Sequence, residues 1–404
     1  MVRALLLENP HATADPALRE AGIDIVRHSG AMDEDELIEA LDGVQVLGIR
    51  SKTNVTKRVL EAAPSLLTIG AFCIGTNQID LATAAESGVT VFNAPFSNTR
   101  SVVELTLAEI IALSRRLTER DRAMHEGTWQ KTAAGSHEVR GRTLGIVGYG
   151  NIGTQLSVLA EAMGLRVIFY DTAERLALGN ARRMHSLEEL LDEADIVTLH
   201  VDGRAGNAGM FGAAEFARMR AGSIFLNLSR GFLVDYDSLR EHILSGKIAG
   251  AGVDVFPHEP KSSGDPFESQ LRGLPNVILT PHIGGSTMEA QEGIGSFVSN
   301  KLVRYLATGT TTMSVNVPPL QLDQSATARW RVTYLHRNMP GMMAQVNQAC
   351  ADSGVNIEGQ ILGNLGNIGY VIVDIDGELT PAAQSTLSSL PGSIRLRILP
   401  THAG

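Results

Sequence analysis

The stretch from Leu144 to Asp171 limits the fold most, because it places a glycine-rich turn between two apolar runs. Gly148, Gly150 and Gly153 have the spacing G-x-G-x-x-G, and an apolar-periodic helix follows them. Such glycines allow a tight turn, close approach of the backbone to a pyrophosphate, and close packing of helix on strand. Asp171 ends the second run, where a carboxylate can bind both ribose hydroxyls and repel a 2′-phosphate. The pattern predicts a dinucleotide site that prefers NAD.

Length and charge narrow the classes of protein further. The 404 residues suffice for two or three domains, and the formal net charge of −10 argues against nucleic acid as the main partner. No apolar run approaches the roughly 20 residues of a membrane span, and the N-terminus does not read as a signal peptide. Cys73 and Cys350 have no metal-ligand spacing. We expect a cytoplasmic protein without a metal site or membrane contact.

Residues 1–97 alternate short apolar runs with helical patterns, which predicts a parallel α/β sheet. Arg50 and Ser51 follow one of its predicted strands, at the edge where such sheets bind ligands. An Arg beside a Ser suits a phosphate or a carboxylate. A solvated loop cation explains these two residues equally well.

One long amphipathic helix is predicted from Asn98 to Met124, leading into the glycine-rich sheet. That sheet continues to a strand at Val277–Leu279, and a helix over Ser286–Leu306 returns the chain to the first sheet. The predicted fold is therefore α/β with two Rossmann-like, doubly wound domains, one inserted in the other, and a cleft between them. We assign residues 1–97 and 286–316 to a discontinuous substrate-binding domain and 98–285 to the NAD-binding domain.

The C-terminal part has the pattern of a small separate unit. Residues 317–326 lack periodicity and are interpreted as a linker. Residues 327–404 follow the order βαββαβ, which is typical of a ferredoxin-like domain.

Three residues with complementary chemistry follow successive predicted strands of the second sheet. Arg230, Glu259 and His282 would converge at its carboxyl edge. Arg binds a carboxylate and an adjacent carbonyl, His exchanges a proton near neutral pH, and a neighbouring Glu favours protonated His. Taken singly, each could be a surface Arg, a turn Glu or a helix-capping His. Together they predict catalysis of hydride transfer at a C2 carbonyl.

Several longer blocks make the sequence similar to a known family. They are IRSKT from Ile49, AFCIGTNQIDL from Ala71, VFNAPFSNTRSVVEL from Val91, GIVGYGNIG, NLSRGFLVD, AGVDVFPHEP and TPHIGGSTMEAQEGIG. Over nearly its whole length the chain resembles the D-isomer-specific 2-hydroxyacid dehydrogenases, and within them the bacterial branch that acts on 3-phosphoglycerate and carries a C-terminal ACT domain.

The resemblance implies a reaction and a role for each matching residue. The reaction is NAD-dependent oxidation of 3-phospho-D-glycerate to 3-phosphohydroxypyruvate, the first step of phosphorylated L-serine synthesis. His282 would be the general acid/base, Glu259 its partner and Arg230 the residue that binds carboxylate and carbonyl. The remaining matches are cofactor positions (Gly148, Gly150, Asn151, Ile152, Gly153, Asp171, Asp254, Gly284, Gly285) and substrate positions (Arg50, Ser51, Asn98, Gln291, with Lys131 reaching a partner subunit).

The C-terminal unit resembles an ACT domain, which in relatives binds L-serine between two subunits. The matching positions here are His336, Asn338 and Asn356. The resemblance implies feedback inhibition by L-serine and a homo-oligomer, either tetramer or dimer. Without it, His336 and Asn338 are typical turn and capping residues.

One segment departs from the family. Residues 202–208 read DGRAGNA where relatives have Pro and a Thr-bearing loop along the adenosine half of the cofactor. Two alternatives remain open for the chain as a whole. One is a 2-oxoglutarate, glyoxylate or hydroxypyruvate reductase of the same family. The other is a non-enzymatic regulator that senses NADH or serine.

Overall fold

The computed structural model describes residues 1–260 and 264–401. The last three residues of the predicted ACT domain, and three within the predicted NAD-binding domain, therefore lie outside the described residues. The chain divides into two compact units. Met1–Ser97 with Gln291–Gly404 form the discontinuous unit, and Asn98–Ala290 form the nucleotide-binding unit.

The first sheet is parallel, with strand order β2-β1-β3-β4-β5. Short helices connect buried strands, because each strand is apolar and needs cover on both faces. The elements are β1 (Arg3–Leu7), α1 (Asp15–Glu20), β2 (Asp24–His28), α2 (Glu34–Ala40), β3 (Val46–Ile49), α3 (Lys57–Ala62), β4 (Thr68–Ala71), α4 (Leu81–Glu86) and β5 (Thr90–Asn93).

The nucleotide-binding unit contains a second parallel sheet, ordered β12-β11-β10-β9-β6-β7-β8. Its order reverses between β6 and β9, the switch point at which such sheets bind ligands. The elements are α5 (Thr99–Arg115), α6 (Leu117–His125), β6 (Thr143–Val147), α7 (Asn151–Ala162), β7 (Arg166–Tyr170), β8 (Arg182–Arg183), α8 (Leu187–Glu193), β9 (Ile196–Leu199), α9 (Ala213–Arg218), β10 (Ser223–Asn227), α10 (Tyr236–Leu244), β11 (Ile248–Val253) and β12 (Val277–Leu279).

The single long helix predicted over Asn98–Met124 was wrong. Arg116 interrupts it in a left-handed conformation with φ of 53°, and its N–H bonds to carbonyls of the preceding turn. Its guanidinium then pairs with Glu119 in the first turn of α6. Apolar spacing continues across this break, so the pattern could not reveal it.

The C-terminal elements form an antiparallel sheet with two helices, ordered β14-β15-β13-β16. Helix α11 (Met288–Thr308) leads towards them, and the elements are β13 (Trp330–Arg337), α12 (Met342–Asp352), β14 (Ile357–Leu365), β15 (Ile368–Ile375), α13 (Pro381–Ser388) and β16 (Ser393–Pro400). The predicted α/β class, with two parallel sheets and a βαββαβ unit, is confirmed. Within the described residues, no helix is both long and apolar enough to cross a bilayer.

Segment 309–329 contains no helix or strand, yet its side chains bind the surrounding elements. The Asn316 side chain accepts the N–H of Val91 in β5 and donates to the carbonyl of Val89, the residue before β5. Arg331 of β13 forms a buried ion pair with Asp374 and also donates to the carbonyl of Leu322. The segment is thus fixed to both the first sheet and the C-terminal sheet.

Candidate active site

The glycine-rich turn follows β6 at the switch point. Gly148 has φ of +94°, and a Cβ there would lie 2.6 Å from the carbonyl oxygen of His200. A Cβ on Gly153 would collide with the carbonyl oxygen of Gly148. Gly150 differs, because among the described residues no atom beyond its chain neighbours lies within 4 Å of a Cβ built on it. Packing therefore requires the first and third glycines. The second leaves open space at the start of α7, whose first residues are Asn151 and Ile152.

Asp171 lies directly after β7, beside this turn. One carboxylate oxygen accepts the N–H of Tyr149 and the other that of Ala173, both at 2.8 Å. Each oxygen keeps lone pairs for a further donor such as a ribose hydroxyl. The first N–H groups of a helix have no partner within that helix, so the start of α7, beside the open space at Gly150, suits a phosphate. These residues fit a dinucleotide.

His282 and Glu259 are hydrogen-bonded to each other. The Nδ1–H of His282 donates to Glu259 at 2.8 Å, and Glu259 also accepts the N–H of Phe256. The bond from Glu259 raises the pKa of His282 above its ordinary value, although burial opposes it. Burial raises the pKa of Glu259, but the bonds from His282 and Phe256 outweigh it, and the net pKa is lowered. The pair therefore favours imidazolium beside carboxylate.

Arg230 lies near this pair, at the carboxyl end of β10. Its positive charge lowers the pKa of both Glu259 and His282. Its own Nη1 donates to the carbonyl of Ser229 at 2.7 Å. Gly231 brings the two loops together, because a Cβ there would collide with the backbone of Phe256.

Asp254 fixes the segment that carries His282. It accepts the Thr280 hydroxyl at 2.6 Å and the N–H groups of Ile283 and Gly284 at 2.8 Å each. His282 has φ of 54°, an uncommon conformation for a residue with a side chain. One bond before His282 and two after it therefore maintain this geometry.

Asn98 lies against the same segment, so close that a Cβ on Gly285 would collide with its amide.

Two further predicted residues meet within the discontinuous unit. The Nη2 of Arg50 donates to the Gln291 side chain at 3.0 Å. Ser51 is exposed beside Arg50. Lys131, in the nucleotide-binding unit, is also exposed.

The predicted serine residues are separated along the C-terminal sheet. The His336 ring is buried against Gly369, and its Nδ1 donates to the Arg337 carbonyl. Asn338 lies near the turn between β14 and β15, where its N–H donates to Asn367. Asn356 bonds Asp376, beyond the opposite ends of these strands. A single chain therefore does not bring the three side chains together.

Comparison with known proteins agrees with this geometry. Residues 107–284 match the NAD binding domain of the D-isomer specific 2-hydroxyacid dehydrogenases, and 332–395 match the ACT domain of the AHAS small subunit type. The chain is 45% identical to a D-3-phosphoglycerate dehydrogenase of Haemophilus influenzae, over 98% of this chain and 97% of that protein. It is 49% identical to D-3-phosphoglycerate dehydrogenase 2 of Saccharomyces cerevisiae, over 92% and 81% of the two chains.

The chain belongs to the D-3-phosphoglycerate dehydrogenase family. Among solved structures, it resembles a D-lactate dehydrogenase of Aquifex aeolicus complexed with NAD and lactic acid. The TM-score is 0.66 at 26% identity, covering 75% of this chain and 95% of that one. The predicted membership of the 2-hydroxyacid dehydrogenases, with NAD as cofactor, is confirmed.

The segment in which this chain departs from the family lies against Arg230. A Cβ on Gly203 would come within 3.2 Å of Nε of Arg230. The Asp202 carboxylate accepts bonds from the guanidinium and the backbone N–H of Arg204 and from the Asn207 amide, and these bonds shape the loop. The family resemblance relates residues 202–208 only to the adenosine half of the cofactor and does not predict the contact of Gly203 with Arg230.

Sequence reasoning also missed Thr280 and Gly231. Thr280 is two residues before His282 and Gly231 directly follows Arg230. This closeness in sequence to predicted catalytic residues could have indicated their roles.

Proposed function

We propose that this chain oxidises 3-phospho-D-glycerate to 3-phosphohydroxypyruvate with NAD, the first step of phosphorylated L-serine synthesis. The observation that carries the proposal is the hydrogen bond of His282 to Glu259 beside Arg230, in the unit that contains the dinucleotide turn. The names of the curated relatives support the choice of substrate.

The residues divide the chemistry between them. Bound NAD supplies the acceptor for the hydride that leaves C2. His282 takes the hydroxyl proton on Nε2, because Nδ1 is bonded to Glu259. Glu259 stabilises the resulting imidazolium. Arg230 binds the substrate carboxylate and the carbonyl oxygen that forms at C2, as a planar fork of donors can.

Arg50 and Ser51 would bind the substrate phosphate. Arg50 uses one of its five N–H groups on Gln291, which orients the guanidinium and leaves other donors for an anion. Asn98 is assigned to the substrate as well, and Lys131 to a partner subunit's site. Both assignments rest on the family resemblance.

The proposal is tested with purified protein by following NADH oxidation with 3-phosphohydroxypyruvate, 2-oxoglutarate or glyoxylate. We expect a strong preference for the phosphorylated acid. Replacement of Arg50 by Gln should reduce that preference, whereas Arg58→Gln, at an exposed ion pair in the same unit, should not. Turnover of the unphosphorylated acids alone would contradict the assignment of Arg50 and favour a reductase. NADH binding without turnover of any of them would favour a regulator.

L-serine is the effector that we propose for the C-terminal unit. His336 and Asn338 lie at one end of β14 and Asn356 at the other, and nine strand residues span about 30 Å. One site built from all three therefore requires a second copy of the chain, which supports a homo-oligomer. Strand β14 is at the edge of its sheet, where a second copy can approach. Unchanged kinetics in millimolar serine would contradict this assignment.

A further inference from the structure

A carboxyl group lies in the interior of the nucleotide-binding unit, where the described residues offer it no hydrogen-bond partner. Glu109 is one of the buried residues of α5, as are Val102 and Leu113, and it is only 2% exposed. Neither of its side-chain oxygens has a hydrogen-bond partner among the described residues. An unpaired carboxylate in such surroundings is far less stable than the protonated acid.

The neighbouring strand provides the space for this side chain. A Cβ on Gly252 of β11 would collide with Oε2 of Glu109, so the strand can accept the carboxyl group only at a glycine. Asp254 follows two residues later, and residues two apart lie on the same side of a strand. Glu109, packed on Gly252, and Asp254, the residue directly after β11, are thus neighbouring acidic groups on one side of this strand.

Asp254 is the charged member of this pair. It is 1% exposed and accepts the Thr280 hydroxyl and the N–H groups of Ile283 and Gly284. Three donors of this kind stabilise an ionised carboxylate. Within the described part of the chain, Glu109 has no such donors. Burial, and secondly the charge of Asp254, raises the pKa of Glu109 to about 8.

The surrounding elements provide no cation that would change this assignment. Among the described residues, β10, β11 and β12 contain no titratable side chain, and α7 contains only Glu161. The charged residues of α6 begin with Glu119, beyond the break in the helix. On the side of the catalytic residues, the charge of Asp254 raises the pKa of His282 and the charge of Arg230 lowers it.

We propose that Glu109 is a positioning residue that works as an uncharged acid behind Asp254, so that one buried negative charge holds the segment carrying His282. When Glu109 ionises, a second negative charge arises beside Asp254 with no donor to stabilise it. The two carboxylates then repel each other, and the bonds of Asp254 to the segment 280–284 weaken. Glu109 therefore limits the enzyme at alkaline pH.

The pH profile of the oxidation separates Glu109 from His282. His282 acts as a base in that direction, so its titration gives only the acid limb, and a fall at alkaline pH belongs to another group. For the wild type we expect kcat/KM to fall above about pH 8, by about tenfold per pH unit. Glu109→Gln should lack this fall. Glu104→Gln, at an exposed ion pair on the same helix, should retain it. The same alkaline limb in Glu109→Gln would overturn the proposal.

A second measurement does not depend on turnover, whereas the kinetic test rests on the proposed function. The infrared difference between the wild type and Glu109→Gln at pH 7 should contain the C=O band of a protonated carboxylic acid, and the band should disappear as the pH passes about 8. A carboxylate band at pH 7 would refute the uncharged acid even if the substrate assignment is correct. If Glu109→Gln does not fold, Glu109→Met serves as the uncharged reference.

Discussion

At the scale of single residues, the proton chemistry depends on the bond between His282 and Glu259. Because Glu259 raises the pKa of His282, its replacement by Gln should lower that pKa, and the remaining charge of Arg230 acts in the same direction. In the oxidation, neutral His282 is the base, so the acid limb of kcat/KM should move to lower pH. The plateau should fall by about 10- to 100-fold, because the imidazolium loses a charge-assisted bond worth roughly 1.5–3 kcal/mol.

The measurement is the pH profile of kcat/KM for both proteins at saturating NAD. Glu268→Gln, at an exposed ion pair of the same unit, is the control and should follow the wild type. An acid limb that does not move in Glu259→Gln would show that Glu259 does not set the pKa of His282.

The sequence could predict the three catalytic residues because the topology of the sheet alone brings the ends of its strands together. Arg230, Glu259 and His282 each follow a strand of one parallel sheet, and parallel strands share a carboxyl edge. Glu109 could not be found in the same way. It precedes β11 by more than a hundred residues, and only the packing of α5 on Gly252 shows that the two meet.

At the scale of elements, the glycines of the turn between β6 and α7 have two different roles. Gly148 and Gly153 are needed for packing, whereas Gly150 leaves open space. Gly150→Ala adds a methyl group that meets no described atom beyond its chain neighbours within 4 Å, so the thermal unfolding midpoint should stay within about 1 °C of the wild type. The same methyl group would enter the space assigned to the pyrophosphate. We therefore expect NADH affinity to fall by about tenfold or more, or roughly 1.4 kcal/mol.

Gly153→Ala is the matched variant. Its methyl group would collide with the carbonyl of Gly148, so both the unfolding midpoint and NADH affinity should decrease. Calorimetry and NADH fluorescence titration measure the two quantities. Equal destabilisation of both variants would contradict the distinction between them.

Element boundaries show what the sequence pattern could not determine. The two parallel sheets that the sequence predicts are present in the structure, because a buried parallel strand is a continuous apolar run. The end of α5 was missed since a left-handed residue stops a helix without any change in apolar spacing. Arg116 is neither Gly nor Asn, the residues that usually mark such a stop.

At the scale of the whole molecule, the proposed serine site can be tested by mixing subunits. His336→Ala alone should abolish the serine response, because it removes one end of the site in every subunit. Asn356→Ala alone should do so by removing the other end. A mixed oligomer of the two variants contains some interfaces at which intact His336 of one chain meets intact Asn356 of another.

Mixed oligomers should therefore recover part of the response, with one intact site of every two at a mixed interface, while each parent stays insensitive. Inhibition of turnover by L-serine, measured after the two variants are refolded together, is the readout. Gln348→Ala, at an exposed position of α12 bonded to Asp352, gives a control mixture that should respond fully. The distance along β14 makes the outcome decisive. If all three residues acted within one chain, no mixture of the two variants could restore serine sensitivity, because every chain would lack one of them.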